Sequence, residues 1–239
     1  MVLTATWLRS QHISNKLAWW YVKAHWLDKI GKEAYKKAGE KVSWLGGLAA
    51  LQHQLNIPIH IGAKTALALL GQAHYIPLGG IQTPFLFNRS NETIPKWFRS
   101  SNIGGHCVVH KYSLFQETSP ALGIINRFID GIEVFLSAPE RAVLEILYLI
   151  PSHQSYDEAY KLMESMYSLR PNVVQPLLES CKSIKVKRLF LHFANKFQHP
   201  WLNYLDINKI DLGHGKRVIA NGGHYDPKYQ ISVPKIVEG

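Results

Sequence analysis

Lysines and arginines crowded into a short segment do one kind of chemistry well, which is to neutralise phosphates. Residues 1–40 hold seven of them, Arg9, Lys16, Lys23, Lys29, Lys32, Lys36 and Lys37, against Asp28, Glu33 and Glu40, a net charge of +4. Ser14, Asn15, Lys16, Trp19 and Lys23 fall within ten residues and mix cations with polar and aromatic groups suited to base edges and phosphates. Lys29, Lys32 and Lys36 follow at a spacing that suits a backbone-tracking hairpin. Further on, residues 182–188 supply Lys182, Lys185, Lys187 and Arg188, and Lys216–Arg217 forms another basic pair. These six make a candidate second patch for phosphate, although charge runs more often only solvate a helix face.

Other chemistries are less well supported. The stretch Gly213-His214-Gly215-Lys216-Arg217 has a single residue between its glycines, where a phosphate-cradling loop needs four, so it reads as a tight turn. His214, His224 and Asp226 lie near one another, but no paired Cys/His spacing accompanies them and no metal or cofactor is expected. His106 and Cys107 are neighbours, and on a strand neighbours point to opposite faces. Cys107 is expected to be buried in a sheet. No nucleophile elbow, kinase signature or dinucleotide fingerprint is present, and the chain is not read as an enzyme.

These groups sit in an ordinary globular composition. The chain has 239 residues, 46% hydrophobic and 18% charged, with a formal charge of +10 and an isoelectric point near 9.5. Such a surface attracts polyanions, nucleic acid above all. Two distant cysteines, Cys107 and Cys181, suit a reducing cytoplasm. The opening residues do not read as a signal peptide, and no apolar run is long enough to span a membrane.

The basic groups of residues 1–40 need elements to hold them. Residues 4–11 form a short helix with Trp7 and Leu8 inward, His12-Ile13 a turn, and Ser14 caps a second helix. Leu17, Trp20, Tyr21 and Ala24 recur at helical spacing and predict one buried stripe, leaving Asn15, Lys16, Trp19 and Lys23 outside. Two strands around a turn at residues 31–33 complete the outline of a winged helix-turn-helix.

Beyond residue 40, a helix at 42–55 contains Gly46-Gly47, which implies close packing, and a second spans 63–70. Strands are expected at 84–88, 107–112 and 124–136, the last folding back at Asp130-Gly131. A helical region follows. Ser137 to Glu140 and Ser155 to Glu158 read as capping boxes, Asn172 as the cap of a third helix, and 186–197 as a fourth. Strand pieces at 216–220 and 229–233 flank a turn at Asn221-Gly222-Gly223. The fold class is α+β: an N-terminal winged helix-turn-helix (residues 1–40) followed by a mixed α/β domain (residues 41–239).

Several segments, in order, resemble the AbiEi family of type IV antitoxins. They are Val42 to Gln52, His60 to Leu67, Gly71-Gln72-Ala73-His74-Tyr75, Ser137 to Ala142, Leu169-Arg170-Pro171, Cys181 to Phe190 and Asp211 to Arg217. The resemblance implies a cytoplasmic regulator of a toxin–antitoxin operon that represses its own promoter through the winged helix, with an antitoxin domain behind it. It implies double-stranded promoter DNA as one partner and a nucleotidyltransferase-like toxin as the functional other, in systems tied to abortive infection by phage. The chain departs from the family in beginning almost at the first turn helix, without the extra helix that usually precedes it. It also places Lys32-Glu33 where the wing would carry a glycine. Two alternatives stay open, with the DNA-binding module vestigial in each: an antitoxin acting by direct contact, and one that modifies the toxin enzymatically.

Overall fold

Two hydroxyls start the first two helices. In the computed structural model, Thr4 Oγ1 accepts from Trp7 N and Ser14 Oγ from Leu17 N, both at 3.2 Å. Each satisfies an amide that the first helical turn leaves orphaned. The structure describes residues 1–72, 83–89, 92–99, 103–111, 113–116, 121–220 and 222–235. They form two units, one drawn from residues 1–61, 77–112 and 125–136, the other from 62–76, 113–124 and 137–239.

The chain opens with β1 (Leu3–Thr4), α1 (Ala5–Ser10), α2 (Asn15–Lys23), β2 (Leu27–Gly31) and β3 (Ala34–Lys37). The three strands form a sheet in the order β1-β3-β2, antiparallel throughout, which is winged helix-turn-helix topology. The two-residue wing turn is Lys32-Glu33, and Glu33 takes the left-handed conformation at φ +59°. Its carbonyl accepts from Ala5 N at 2.9 Å and ties the wing to the start of α1. Gly31 is required for a different reason: a Cβ there would lie 2.6 Å from the Cβ of Trp97.

A helix that follows the wing packs against this sheet. α3 (Trp44–Ala49) runs on into a π-helical turn, Ala50–Gln54. Gln54 reaches the open edge of β1, donating to Val2 O and accepting from Thr4 N, each at 2.8 Å. Two residues earlier, Gln52 serves a different sheet. Its amide donates to Ile59 O at 2.8 Å and to Phe135 O at 3.1 Å, and its oxygen accepts from Phe135 N at 2.9 Å. Gly46-Gly47 does mark close packing, since a Cβ on Gly47 would collide with Ile103 and sit 3.1 Å from the Phe98 ring.

Next come β4 (Ile59–Ile61), α4 (Ala63–Leu69), β5 (Phe85–Asn88), α5 (Lys96–Arg99), β6 (Val108–Lys111), β7 (Ile124–Ile129) and β8 (Ile132–Ser137). The five strands order as β6-β5-β4-β8-β7. β4 and β8 run parallel but match register only at Ile61 and Leu136. Gln52 fills the gap where they part. The β7–β8 turn has both Asp130 and Gly131 at positive φ, as a tight hairpin demands. Cys107 is not buried in this sheet: it precedes β6 and is half-buried, with its thiol pushed up to about 12 by loss of solvent. The strand expected at 107–112 ends, as far as it is described, at Lys111; Tyr112, like Ala73, His74, Tyr75 and Asn221, lies outside the described residues.

The second unit adds α6 (Pro139–Leu149), α7 (Tyr156–Glu164), α8 (Pro171–Ser180), α9 (Ile184–Lys196) and a sheet of β9 (Arg217–Val218), β10 (His224–Asp226) and β11 (Ile231–Val233), ordered β10-β11-β9. Its core is polar at one point. Arg141 and Glu145, one helical turn apart on α6, are 1% and 0% exposed and lie 3.0 Å apart. Glu145 also accepts from Ser137 Oγ at 2.8 Å and from Ala63 N at 3.0 Å, so a carboxylate caps α4. Arg141 donates to Leu122 O at 2.6 Å and lies over the Phe115 ring.

Several caps differ from the sequence expectation. Ser137 and Glu140 do not box α6: the hydroxyl serves Glu145, and Glu140 binds the guanidinium of Arg170 at 2.9 and 3.1 Å and its backbone amide at 3.0 Å. Arg170, not Asn172, is the N-cap of α8, with Pro171 in its first turn. Ser155 caps α7 as expected, accepting from Glu158 N at 3.1 Å, while the Glu158 carboxylate pairs with Lys64.

Four stability outcomes follow from this wiring. Gln52→Ala, at a residue 4% exposed, strips partners from buried backbone and should cost about 2–4 kcal/mol. Gln54→Ala, half-buried, should cost about 1–2 kcal/mol; urea unfolding reads both, and equal or negligible losses would refute the staple role. Glu33→Gly relieves a left-handed non-glycine residue and should stabilise by roughly 0.5–1 kcal/mol, seen as a raised Tm. Burial pushes the Glu140 carboxyl up, but the Arg170 bonds outweigh it and hold the group below its ordinary value of 4.5. That contribution is whole above 4.5 and is lost as pH falls through the lower, folded value. The stability gap between wild type and Arg170→Ala should therefore be widest near neutrality and shrink in acid.

Candidate nucleic-acid interface

α2 meets the rest of its unit through a narrow strip. Ala18 is its one buried residue, 2% exposed, with Tyr21 and Val22 half-buried beside it. The stripe expected at Leu17, Trp20, Tyr21 and Ala24 is therefore not the buried one. Leu17 is 37% and Trp20 56% exposed, and Ala24 is at the surface. A small residue sits at the contact because helix and neighbour approach closely there, which leaves no room for an indole. At about 100° per residue, the direction opposite Ala18 belongs to Lys16, Trp20 and Lys23, with Trp19 alongside.

The eight residues singled out in the module have distinct positions. Ser14 is spent on the helix cap. Asn15 Oδ1 accepts from Arg9 at 3.3 Å, and Arg9 also reaches Thr6 Oγ1, so a cation from α1 is held against the start of α2. Lys16 is exposed with no pairing side chain among the described residues. Trp19, 52% exposed, meets Trp20 edge to face with ring centres 5.3 Å apart, and the Lys23 ammonium lies 5.3 Å over the Trp19 ring. Lys29 on β2 and Lys32 at the wing tip are exposed and unpaired among the described residues. Lys36 is committed elsewhere, with Asp28 at 3.5 Å and the Glu40 carbonyl at 2.7 Å. Lys37, exposed at the end of β3, takes its place as a free cation of the hairpin. Arg9, Trp20 and Lys37 were not singled out from sequence. The signal that would have found Trp20 was Ala18, the small residue that centres the helix contact.

The second basic patch does not form a surface. Arg188 is 2% and Lys187 3% exposed. The Arg188 guanidinium donates to the carbonyls of Leu212 (2.8 Å), Gly213 (2.9 Å), Gly215 (2.5 Å) and Gln230 (3.1 Å), four of its five N–H groups, and its burial withholds it from a phosphate at the surface. The glycine turn thus presents carbonyls to a cation, the opposite polarity from a phosphate-cradling loop. Lys185 caps the end of α6 by donating to Tyr148 O at 3.2 Å and Ile150 O at 2.6 Å, and burial pulls its ammonium down. Lys182 reaches Ser113 Oγ at 2.8 Å. Lys216 is exposed over the Tyr225 ring, and Arg217 is half-buried beside it.

Among the described residues no group of three or more His, Cys, Asp or Glu side chains is placed to hold a metal. Asp226 turns instead to His192, 2.6 Å away. No helix among the described residues is long and apolar enough to cross a membrane.

The fold is shared with a known structure. The chain superimposes on the crystal structure of the RV2827C protein from Mycobacterium tuberculosis with a TM-score of 0.64 at 13% identity, covering 97% of this chain and 85% of that one. No curated protein sequence matches. Residues 1–78 match the family described as transcriptional regulator, AbiEi antitoxin N-terminal domain. Residues 82–234 match the family described as transcriptional regulator, AbiEi antitoxin, Type IV TA system. Two adjoining family domains across nearly the whole sequence, on an α+β fold that begins with a winged helix, place it: the chain belongs to the AbiEi family of antitoxin transcriptional regulators of type IV toxin–antitoxin systems.

Proposed function

We propose that this antitoxin represses its own operon by binding double-stranded promoter DNA through residues 1–40, and that it antagonises a nucleotidyltransferase-like toxin. The observation that carries the DNA reading is the outward face of α2, where Lys16 and Lys23 are exposed, one before and one after Trp20 along the helix. β2 packs against α2, so Lys29 and Lys32 extend the same module. In this reading α2 enters the major groove, or lies along the phosphates at its edge, while the wing lysines follow the backbone. Trp19 and Trp20 supply apolar contact to bases or sugars. Arg9 steadies the start of α2 through Asn15 and adds charge at the groove edge.

The antitoxic role rests on the family alone. Lys185, Lys187 and Arg188 are held against the protein itself, so the run at 182–188 is not the toxin-directed patch that its charge suggests. Trp26, 65% exposed and stacked on Tyr21, favours a second reading in which the winged module also docks a protein directly.

The DNA reading is tested by binding to the region upstream of the operon at several salt concentrations. Lys16→Ala/Lys23→Ala should weaken binding uniformly across sequences and lower the slope of log K against log salt by roughly one unit per lysine. Lys182→Ala should leave both unchanged. Wild-type affinity and slope in the double variant would remove α2 from the interface, and stable co-purification with the toxin would support the second reading.

A further inference from the structure

One group of side chains in the second unit has no part in DNA binding. α9 and the β10–β11 pair border a cavity of about 530 Å³, within the range of small-molecule sites. His192 and Asp226 both line it, with Nδ1 of the imidazole 2.6 Å from Oδ2 of the carboxylate. The other oxygen, Oδ1, accepts from the backbone amides of Lys228 at 2.9 Å and Tyr229 at 3.3 Å. Both oxygens are therefore engaged by the protein. Burial raises the Asp226 carboxyl, but the His192 bond and the two amides outweigh it and hold the group below its ordinary value.

That arrangement fixes the imidazole. An ionised Asp226 keeps a proton on Nδ1, so Nε2 is the ring's remaining group, and it donates to an anion when the ring carries its second proton as imidazolium. His192 is 7% exposed, and Nε2 has no partner among the described residues. Lys196, Lys235 and His224 line the same cavity, as does Asn195, whose Oδ1 holds the Lys228 ammonium at 2.7 Å. Among the described lining residues Asp226 is the sole carboxylate, and it is spent on protein donors. The remaining wall is apolar or aromatic: Tyr156, Val233 and Pro234.

We propose that this cavity binds a phosphate monoester carried on a small organic body, with the phosphate between Lys196, Lys235 and His192 Nε2, and the body against Tyr156, Val233 and Pro234. Three separated cationic or donor groups suit a tetrahedral dianion better than a planar carboxylate, which two suffice to hold. The phosphate belongs either to a free nucleotide or to the 5′ end of a nucleic-acid strand.

Calorimetry on the full chain tests this with adenosine 5′-monophosphate, inorganic phosphate and adenosine. The monophosphate should bind, phosphate more weakly, and adenosine not at all. Lys196→Ala/Lys235→Ala, at exposed positions, should weaken the monophosphate by at least about tenfold, and His192→Gln should weaken it too. Lys16→Ala/Lys23→Ala should leave it unchanged, which separates this site from the DNA interface. Displacement of the monophosphate by a 5′-phosphorylated oligonucleotide, but not by its unphosphorylated twin, assigns the phosphate to a strand end; no displacement assigns it to a free nucleotide. No heat at about 10 mM monophosphate, or full affinity in the lysine double variant, overturns the proposal.

Discussion

Two carboxamides on one π-helical turn govern the first unit. Gln54 lies along the edge of β1 and satisfies an amide and a carbonyl that no strand reaches. Gln52, two residues before it and so on the other side of the helix, supplies the rung that β4 and β8 lack. Backbone polar groups inside a protein must find partners, and sheet edges are where they run short. The small winged module is thus closed by a helix that also belongs to its neighbouring sheet. The position of α2, and of every cation it carries, depends on that closure.

The second unit is organised by charge turned inward. Arg141 and Glu145 form a fully buried pair whose spare lone pairs and protons are met by Ser137, Ala63 and Leu122. Arg188 gathers the carbonyls of a glycine turn, and Gly213 at φ +60° packs on Ile184. Such groups are costly to leave half-satisfied, so their partners change together or not at all. Several of the segments that resemble the family carry such groups. Gln52, Ser137, Arg141, Arg170, Arg188 and Gly213 all lie in them, and all hold backbone or buried charge in place.

The same physics sets what the sequence could reveal. Local rules worked where the answer was local: Ser14 and Ser155 as caps, the tight turn at Asp130-Gly131, the close approach at Gly46-Gly47, and the hairpin after Trp26. They failed where a distant partner decided. Ser137 and Glu140 have the spacing of a capping box, but Glu145 and Arg170 claim them. β1 and β10 are too short for any periodicity to register. The stripe on α2 was misplaced because large apolar residues are usually buried, whereas this helix is seated through an alanine and leaves its indoles outside. Residues 182–188 look like a phosphate-binding surface when charges are counted along the chain. Three of those four cations point into the protein or onto its carbonyls instead.

Late closure of the winged module also bears on synthesis at the ribosome. The strand at Leu3–Thr4 emerges some fifty residues before Gln54, and Gln52 waits more than eighty further for Phe135. The winged end of the nascent chain therefore stays unfinished while much of the rest is still being made. Translation that stops early yields a fragment with its lysines in order and its scaffold unlatched.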